Sequence, residues 1–168
     1  MPNHVSQDLY ITGDTASLKQ FKEFANSKDG QEIVALDHEK FIPYPDHFQQ
    51  MDVAAEAAHK AGIFDVQDGF NSGGYEWCRK NWGTKWGIYN SSLNSQKLTG
   101  KKGRLTYSFQ SAWSPPLPII DAMSKRFPSL HFRLKWFESG MAVKGIYVVQ
   151  NGAVLEQSEA EYHGSRGG

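Results

Sequence analysis

The sequence is nearly devoid of cysteine and carries no net charge. Its 168 residues include one Cys, and 18 Lys and Arg balance 18 Asp and Glu. A single cysteine cannot close an internal disulfide or build a Cys-based zinc site, a usage that fits a reducing cytoplasm. Zero net charge withholds the long-range pull toward phosphate backbones that a nucleic-acid coat relies on. Long hydrophobic runs are missing as well. The longest uncharged apolar stretch, around Ser111–Ile120, is short and holds three prolines, so no membrane span is expected. Met1–Tyr10 shows no basic start followed by an apolar run, so no signal peptide is expected. No G-x-S-x-G, P-loop, G-x-G-x-x-G or His-Glu-x-x-His word occurs, and Ser72-Gly73-Gly74 reads only as a turn. What is abundant is aromatic: 13% Phe, Trp and Tyr, with five Trp, at a mean hydropathy of −0.55. The length suits one domain with a real core.

Periodicity gives the elements. Val5, Gln7, Leu9 and Ile11 alternate with Ser6, Asp8, Tyr10 and Thr12, which predicts a strand ending at Gly13. Asp14 or Thr15 then caps a helix with apolar Leu18, Phe21, Phe24 and Ala25. Glu32–Ile42 reads as a second strand, stopped by Pro43-Tyr44-Pro45. After Asp46, the residues Phe48, Met51, Ala55 and Ala58 mark one face of a helix closed by Gly62. Tyr75–Lys80 reads as a short helix, Lys85–Tyr89 as a strand and Ser91–Gly103 as a polar mobile loop. Leu105, Tyr107 and Phe109 alternate, Leu117, Ile120, Met123 and Phe127 recur with helical spacing, and Pro128 terminates. Leu130, Phe132, Leu134 and Trp136 oppose His131, Arg133 and Lys135 in the cleanest strand, and Ser139-Gly140 turns into Met141–Gln150.

The order β-α-β-(helical insert)-β-α-β-β, with polar outward positions, predicts an α+β fold. It is the ferredoxin-like, split β-α-β arrangement: an antiparallel sheet with helices on one face. The expected organisation is a single ferredoxin-like domain over residues 1–152. A helical insertion at about 46–103 would lie between the second and third strands, and 153–168 would be a polar C-terminal tail.

Three local words go beyond patterning: Phe41-Ile42-Pro43-Tyr44-Pro45, Asn81-Trp82-Gly83-Thr84-Lys85-Trp86 and Ala112-Trp113-Ser114-Pro115-Pro116. Phe127-Pro128, Glu138-Ser139-Gly140 and Gly145 follow at compatible spacing. Together they resemble the YubB-like (Api-type) ferredoxin-like family of phage, prophage and plasmid proteins, from about Leu9 to Gly152. The resemblance implies the ferredoxin-like fold and a mobile-element origin, and it implies no established activity. The chain departs from the family pattern at Tyr44, where Met is expected, and at Gly87, where a polar residue is expected.

Two groups of residues are candidates for a site. Asn81, Trp82, Lys85, Trp86, Trp113 and Tyr44 sit in or beside the turn-rich tryptophan words. They read either as an aromatic wall with polar fixers that holds a ligand or partner, or as indoles plugging the ends of strands. Tyr10, His131, Arg133 and Lys135 fall on the outward face of the predicted sheet. There they read either as a cationic platform for nucleic acid or as a solvated charged face. Metal binding has no support, because Asp37 and Glu39 point away from His38 on a strand and His47 and His59 are more than three turns apart. Cys78, between Trp77 and Arg79, reads as a small packed residue. The terminal Arg166-Gly167-Gly168 resembles a conjugation tail or a single RGG element.

With no catalytic constellation, no cofactor motif and no membrane segment, the expectation is a non-enzymatic cytoplasmic interaction protein of a bacterial mobile element. Its partner would be a host or defence-system protein, in a stoichiometric counter-defence or host-modulating role. The alternative is a nucleotide- or single-stranded nucleic-acid-binding module that uses the tryptophan cluster or the open sheet face.

Overall fold

Alternation builds the central strand. The computed structural model describes residues 3–164. In β1 (His4–Asp14) the side chains of Val5, Gln7, Leu9 and Ile11 turn inward and are fully buried. Gln7 is satisfied there by a hydrogen bond with Ser111 Oγ at 2.7 Å. Asp14 Oδ1 accepts the Ser17 amide at 2.8 Å and so caps α1 (Thr15–Ala25), which lays Leu18, Phe21 and Ala25 on the sheet. Phe21 is the hub of the core, with ring centroids of Tyr107, Phe127 and Phe132 within 5.2–6.1 Å. Each such buried side chain contributes about 1.5–3 kcal/mol before entropy.

The main sheet has six strands in the order β4-β5-β1-β6-β7-β8, all neighbours antiparallel. These are β4 (Tyr89–Lys97), β5 (Lys102–Ala112), β6 (His131–Glu138), β7 (Val143–Gln150) and β8 (Ala153–Glu161). Helix α4 (Leu117–Arg126), which admits Pro118 in its first turn, connects β5 to β6. Chain order β1-α1-β4-β5-α4-β6 with spatial order β4-β5-β1-β6 is the split β-α-β unit, and β7 and β8 extend it beyond β6. Both connecting helices pack on one face.

Five expectations change. Only Glu32–Val34 of the expected second strand is extended (β3), paired with β2 (Ser27–Asp29) in a separate small hairpin. The Asp37 side chain accepts the Glu39 amide at 3.0 Å and curls His38–Lys40 into a single helical turn instead. The helical insertion, with α2 (Asp46–Lys60), a wide turn at Phe70–Gly74 and α3 (Tyr75–Asn81), therefore precedes the unit's second strand rather than following it. That strand is β4, within what reads as a polar mobile loop. As an edge strand it pairs through backbone and through Ser92 Oγ–Ser108 Oγ at 2.9 Å, so it needs few apolar residues. The segment 82–88 before it is irregular, and the strand starts at Tyr89. Finally, Ala153–Glu161 is strand β8, not tail. Its residues are exposed on both faces, so no burial pattern marks it. The Gly167-Gly168 terminus lies outside the described residues.

Candidate functional site

The tryptophan words lead to two different places. Trp82 is 4% exposed and sits inside the insertion, its Nε1–H donating to the Ile42 carbonyl at 2.9 Å. His38 meets it edge-on at 4.6 Å, Trp77 at 5.1 Å, and Tyr44 lies tilted at 5.6 Å. Asn81 donates Nδ2–H to the Trp77 carbonyl at 2.9 Å, tying off the end of α3. Tyr44, Trp82 and Asn81 therefore hold the insertion together.

This interior is polar at two points. The Tyr44 hydroxyl and His38 Nε2 are both buried without a hydrogen-bond partner. Burial pushes the Tyr44 phenol well above its ordinary range, and the nearby Asp52 charge adds to this. Asp52 itself accepts the Phe70 amide at 2.9 Å. Burial lowers the His38 imidazole to about 4, against a small opposing pull from Asp37. The two atoms press on glycines: a Cβ on Gly74 would collide with the Tyr44 hydroxyl, and one on Gly87 with His38 Nε2. Tyr44 and Gly87 thus belong to this packing. Cys78 is buried beside the cluster, and burial, aided by the Asp52 charge, raises its thiol to about 11. At neutral pH it is a thiol, not a nucleophilic thiolate.

The other three candidates meet at the surface. Lys85 Nζ lies 4.5 Å from the Trp113 ring centroid and 5.1 Å from that of Trp86. Trp113 is 46% exposed and adopts a positive φ of 72°, a backbone state that carries a cost of about 1–3 kcal/mol. Its amide donates to the Asn3 carbonyl at 2.9 Å, and Lys85 N–H donates to the Ala112 carbonyl at 3.3 Å. Ser114 Oγ–H donates to the Gly83 carbonyl at 2.6 Å, and Thr84 Oγ1–H to the Trp86 carbonyl. Two loops are thereby laced into one frame. Residues 75 and 79, which the sequence marks only as part of a short helix and not as site candidates, extend the row. Tyr75 packs edge-on to Trp113 at 6.1 Å and Arg79 lies over Tyr75 at 5.6 Å. Their spacing of four on a helix was the available signal, but nothing in sequence ties α3 to Trp113.

On the open sheet face, cross-strand register sets Tyr10 opposite Arg133, Asp8 opposite Lys135 and Thr12 opposite His131. Phe137 shares this face, but it is buried, with Tyr162 against it at 5.6 Å. The cationic stripe is thus interleaved with Asp8, and Glu156 stands one strand beyond Val148, which faces Arg133. Among the described residues no group of three or more His, Cys, Asp or Glu could hold a metal ion, and no helix is long and apolar enough to cross a membrane.

No curated protein matches the chain. The crystal structure of protein Api92 from Yersinia pseudotuberculosis superimposes with a TM-score of 0.57 at 10% identity, covering 98% of this chain and 99% of that one. At that identity the likeness establishes the shared fold. Residues 85–166 match the family described as the ferredoxin-like domain in Api92-like protein, a stretch that includes Lys85, Trp86 and Trp113. That segment is a member of the Api-type ferredoxin-like family.

Proposed function

We propose that the protein works by forming a stoichiometric complex with a protein partner, which it grips at Lys85, Trp86 and Trp113. The supporting observation is the Lys85 ammonium held over two indoles on a laced frame, with Trp113 left nearly half exposed. Large rigid aromatics next to a positioned cation are the residues that anchor interfaces. A partner segment that presents a carboxylate beside an apolar side chain would satisfy both. Binding rather than turnover is favoured by Cys78, which stays protonated in its buried setting. A host or defence-system protein in the bacterial cytoplasm, met by a mobile-element protein in a counter-defence role, is the setting this reading fits.

Affinity purification from bacterial lysate, followed by reconstitution with the purified partner, tests it. Trp113→Ala and Lys85→Glu should each weaken the reconstituted complex by at least ~30-fold, as interface anchors do. A complex indifferent to both would overturn the assignment. The second reading, nucleotide or single-stranded nucleic-acid binding, draws on Arg133 standing beside Tyr10 on the uncovered face. It requires salt-sensitive binding of fluorescent oligonucleotides that Arg133→Ala and Lys135→Ala weaken together.

A further inference from the structure

Near the β4–β5 turn the uncovered face of the sheet sets two cations directly opposite one another. Gln96 pairs with buried Leu105 and accepts from Lys22 of α1 at 2.9 Å, so both lie on the helix side. Their neighbours Lys97 and Arg104, which also pair, therefore turn together to the open face. Both are exposed, and among the described residues neither side chain has a hydrogen bond or an ion pair. Such a cross-strand pair repels itself. The register carries the row onward, from Arg104 to Thr12 of β1 and from Thr12 to His131 of β6. Lys102 and Arg133 share the face, and Tyr10 stands between Thr106 and Arg133. The carboxylates lie elsewhere or are engaged. Asp14, opposite Lys102, accepts the Ser17 amide at 2.8 Å and the Ser129 hydroxyl at 3.3 Å. Asp8 faces Lys135, and Glu156 stands on β8 beyond Val148. Thr15 holds the turn in place, its amide donating to the Lys101 carbonyl at 3.2 Å and its hydroxyl to the Gly100 carbonyl at 2.7 Å.

We infer that Lys97, Lys102, Arg104 and Arg133 grip the phosphates of a single-stranded nucleic acid whose bases stack on Tyr10. The inference rests on the second reading above and adds the path of the strand and its phosphate contacts. From Lys97 to His131 the row crosses three ladder spacings, about 14 Å. That is too broad for one phosphate and wide enough for a few linked nucleotides. An anion lying between Lys97 and Arg104 relieves their repulsion, which gives the strand a fixed point. The Thr12 and Thr106 hydroxyls, on the same face, can donate to phosphate and sugar oxygens. Helices α1 and α4 pack on the other side of the sheet, so this face presents no element that could enter a duplex groove. An aromatic ring set among cations suits unstacked bases, whereas an acidic peptide would need only the cations. The chain's zero net charge is an average, and the local field of this face is what a strand meets.

Fluorescence anisotropy of a fluorescein-labelled oligothymidylate of about 12 nucleotides, titrated with the full chain over a salt series, tests it. Binding should fall steeply as salt rises, and Lys97→Glu and Arg104→Glu should each weaken it at least ~10-fold. Lys97→Ala combined with Arg104→Ala should flatten the salt slope by about 1.4, the share of two phosphates on a single strand. Tyr10→Leu should weaken binding about fivefold or more with the slope unchanged, because stacking releases no counterions. Lys97→Glu turns a repulsive pair into an attractive one, so its melting temperature should not drop below wild type. That separates a lost contact from a lost fold, and Arg104→Glu repeats the control from the other strand. Binding weakened by Arg133→Ala and Lys135→Ala but unmoved by Lys97→Glu and Arg104→Glu would remove this inference and leave the second reading standing. No binding at low salt would remove both. A duplex of the same length bound as tightly as the single strand would also overturn the inference.

Discussion

Trp82 and Trp86 stand four residues apart in one sequence word and belong to different parts of the molecule. Trp82 is enclosed by His38, Tyr44 and Trp77, with its N–H spent on the Ile42 carbonyl. Trp86 flanks Lys85 at the surface, together with Trp113 from the end of β5. The difference comes from what each indole N–H and ring face finds nearby. Trp82 ends α3 and is carried into the insertion, whereas Trp86 lies beyond the Gly83 turn, where φ is +75°. Aromatic enrichment in a single word is therefore divided, enclosed packing on one side of a turn and a half-buried surface indole on the other.

The comparison breaks most visibly under truncation. Trp82→Ala should cost about 3–5 kcal/mol, the usual loss for removing a buried aromatic, read from urea unfolding. A loss below about 1 kcal/mol would place Trp82 outside the packed interior. Gly87→Ala comes next. The added methyl must displace His38 from Trp82, so about 1–3 kcal/mol of stability should go, with a change in tryptophan emission.

Acid should separate the two regions without mutation. The His38 pKa is lowered in the fold from 6.5 to about 4, so the unfolded chain binds its proton first. The stability this group contributes is full above pH 6.5 and declines as pH falls toward 4. Glu39, whose carboxyl burial raises, works in the opposite direction. The His38→Gln variant should therefore show a flatter loss of stability between pH 6.5 and 4 than the wild type. Identical slopes would remove His38 from the insertion's interior. The smallest effect is expected from Lys85→Met, about 0.5–1 kcal/mol for a lost cation–π contact at an exposed site, with altered emission from the surface indoles.

Much of the fold was legible because its core strands alternate cleanly. Val5 to Ile11, Leu105 to Phe109 and Phe132 to Trp136 all bury the residues that periodicity selects. β4 and β8 escaped because an edge strand is held by backbone hydrogen bonds, and residues such as Ser92 and Glu159 leave no apolar trace. Glu32–Ile42 misled because Asp37 offers its side chain to the backbone and bends the segment away. At the site, the words containing Lys85, Trp86 and Trp113 were readable but their division was not. Whether an indole is enclosed depends on Ile42 and His38, forty or more positions away from Trp82 in the chain. Tyr75 and Arg79 join the row only because α3 lies against the end of β5, a placement that no local pattern encodes.

The surface role of the second tryptophan pair is tested most directly by measuring one variant, Trp113→Ala, in two ways. Its unfolding free energy should fall by only about 1–2 kcal/mol, well short of the loss at Trp82, since the ring is nearly half exposed and gives up only its contacts with Lys85 and Tyr75. Its dissociation constant for the captured partner should rise by at least ~30-fold. Unchanged affinity, or a large loss of stability in its place, would contradict the division between a packing tryptophan and a presenting one.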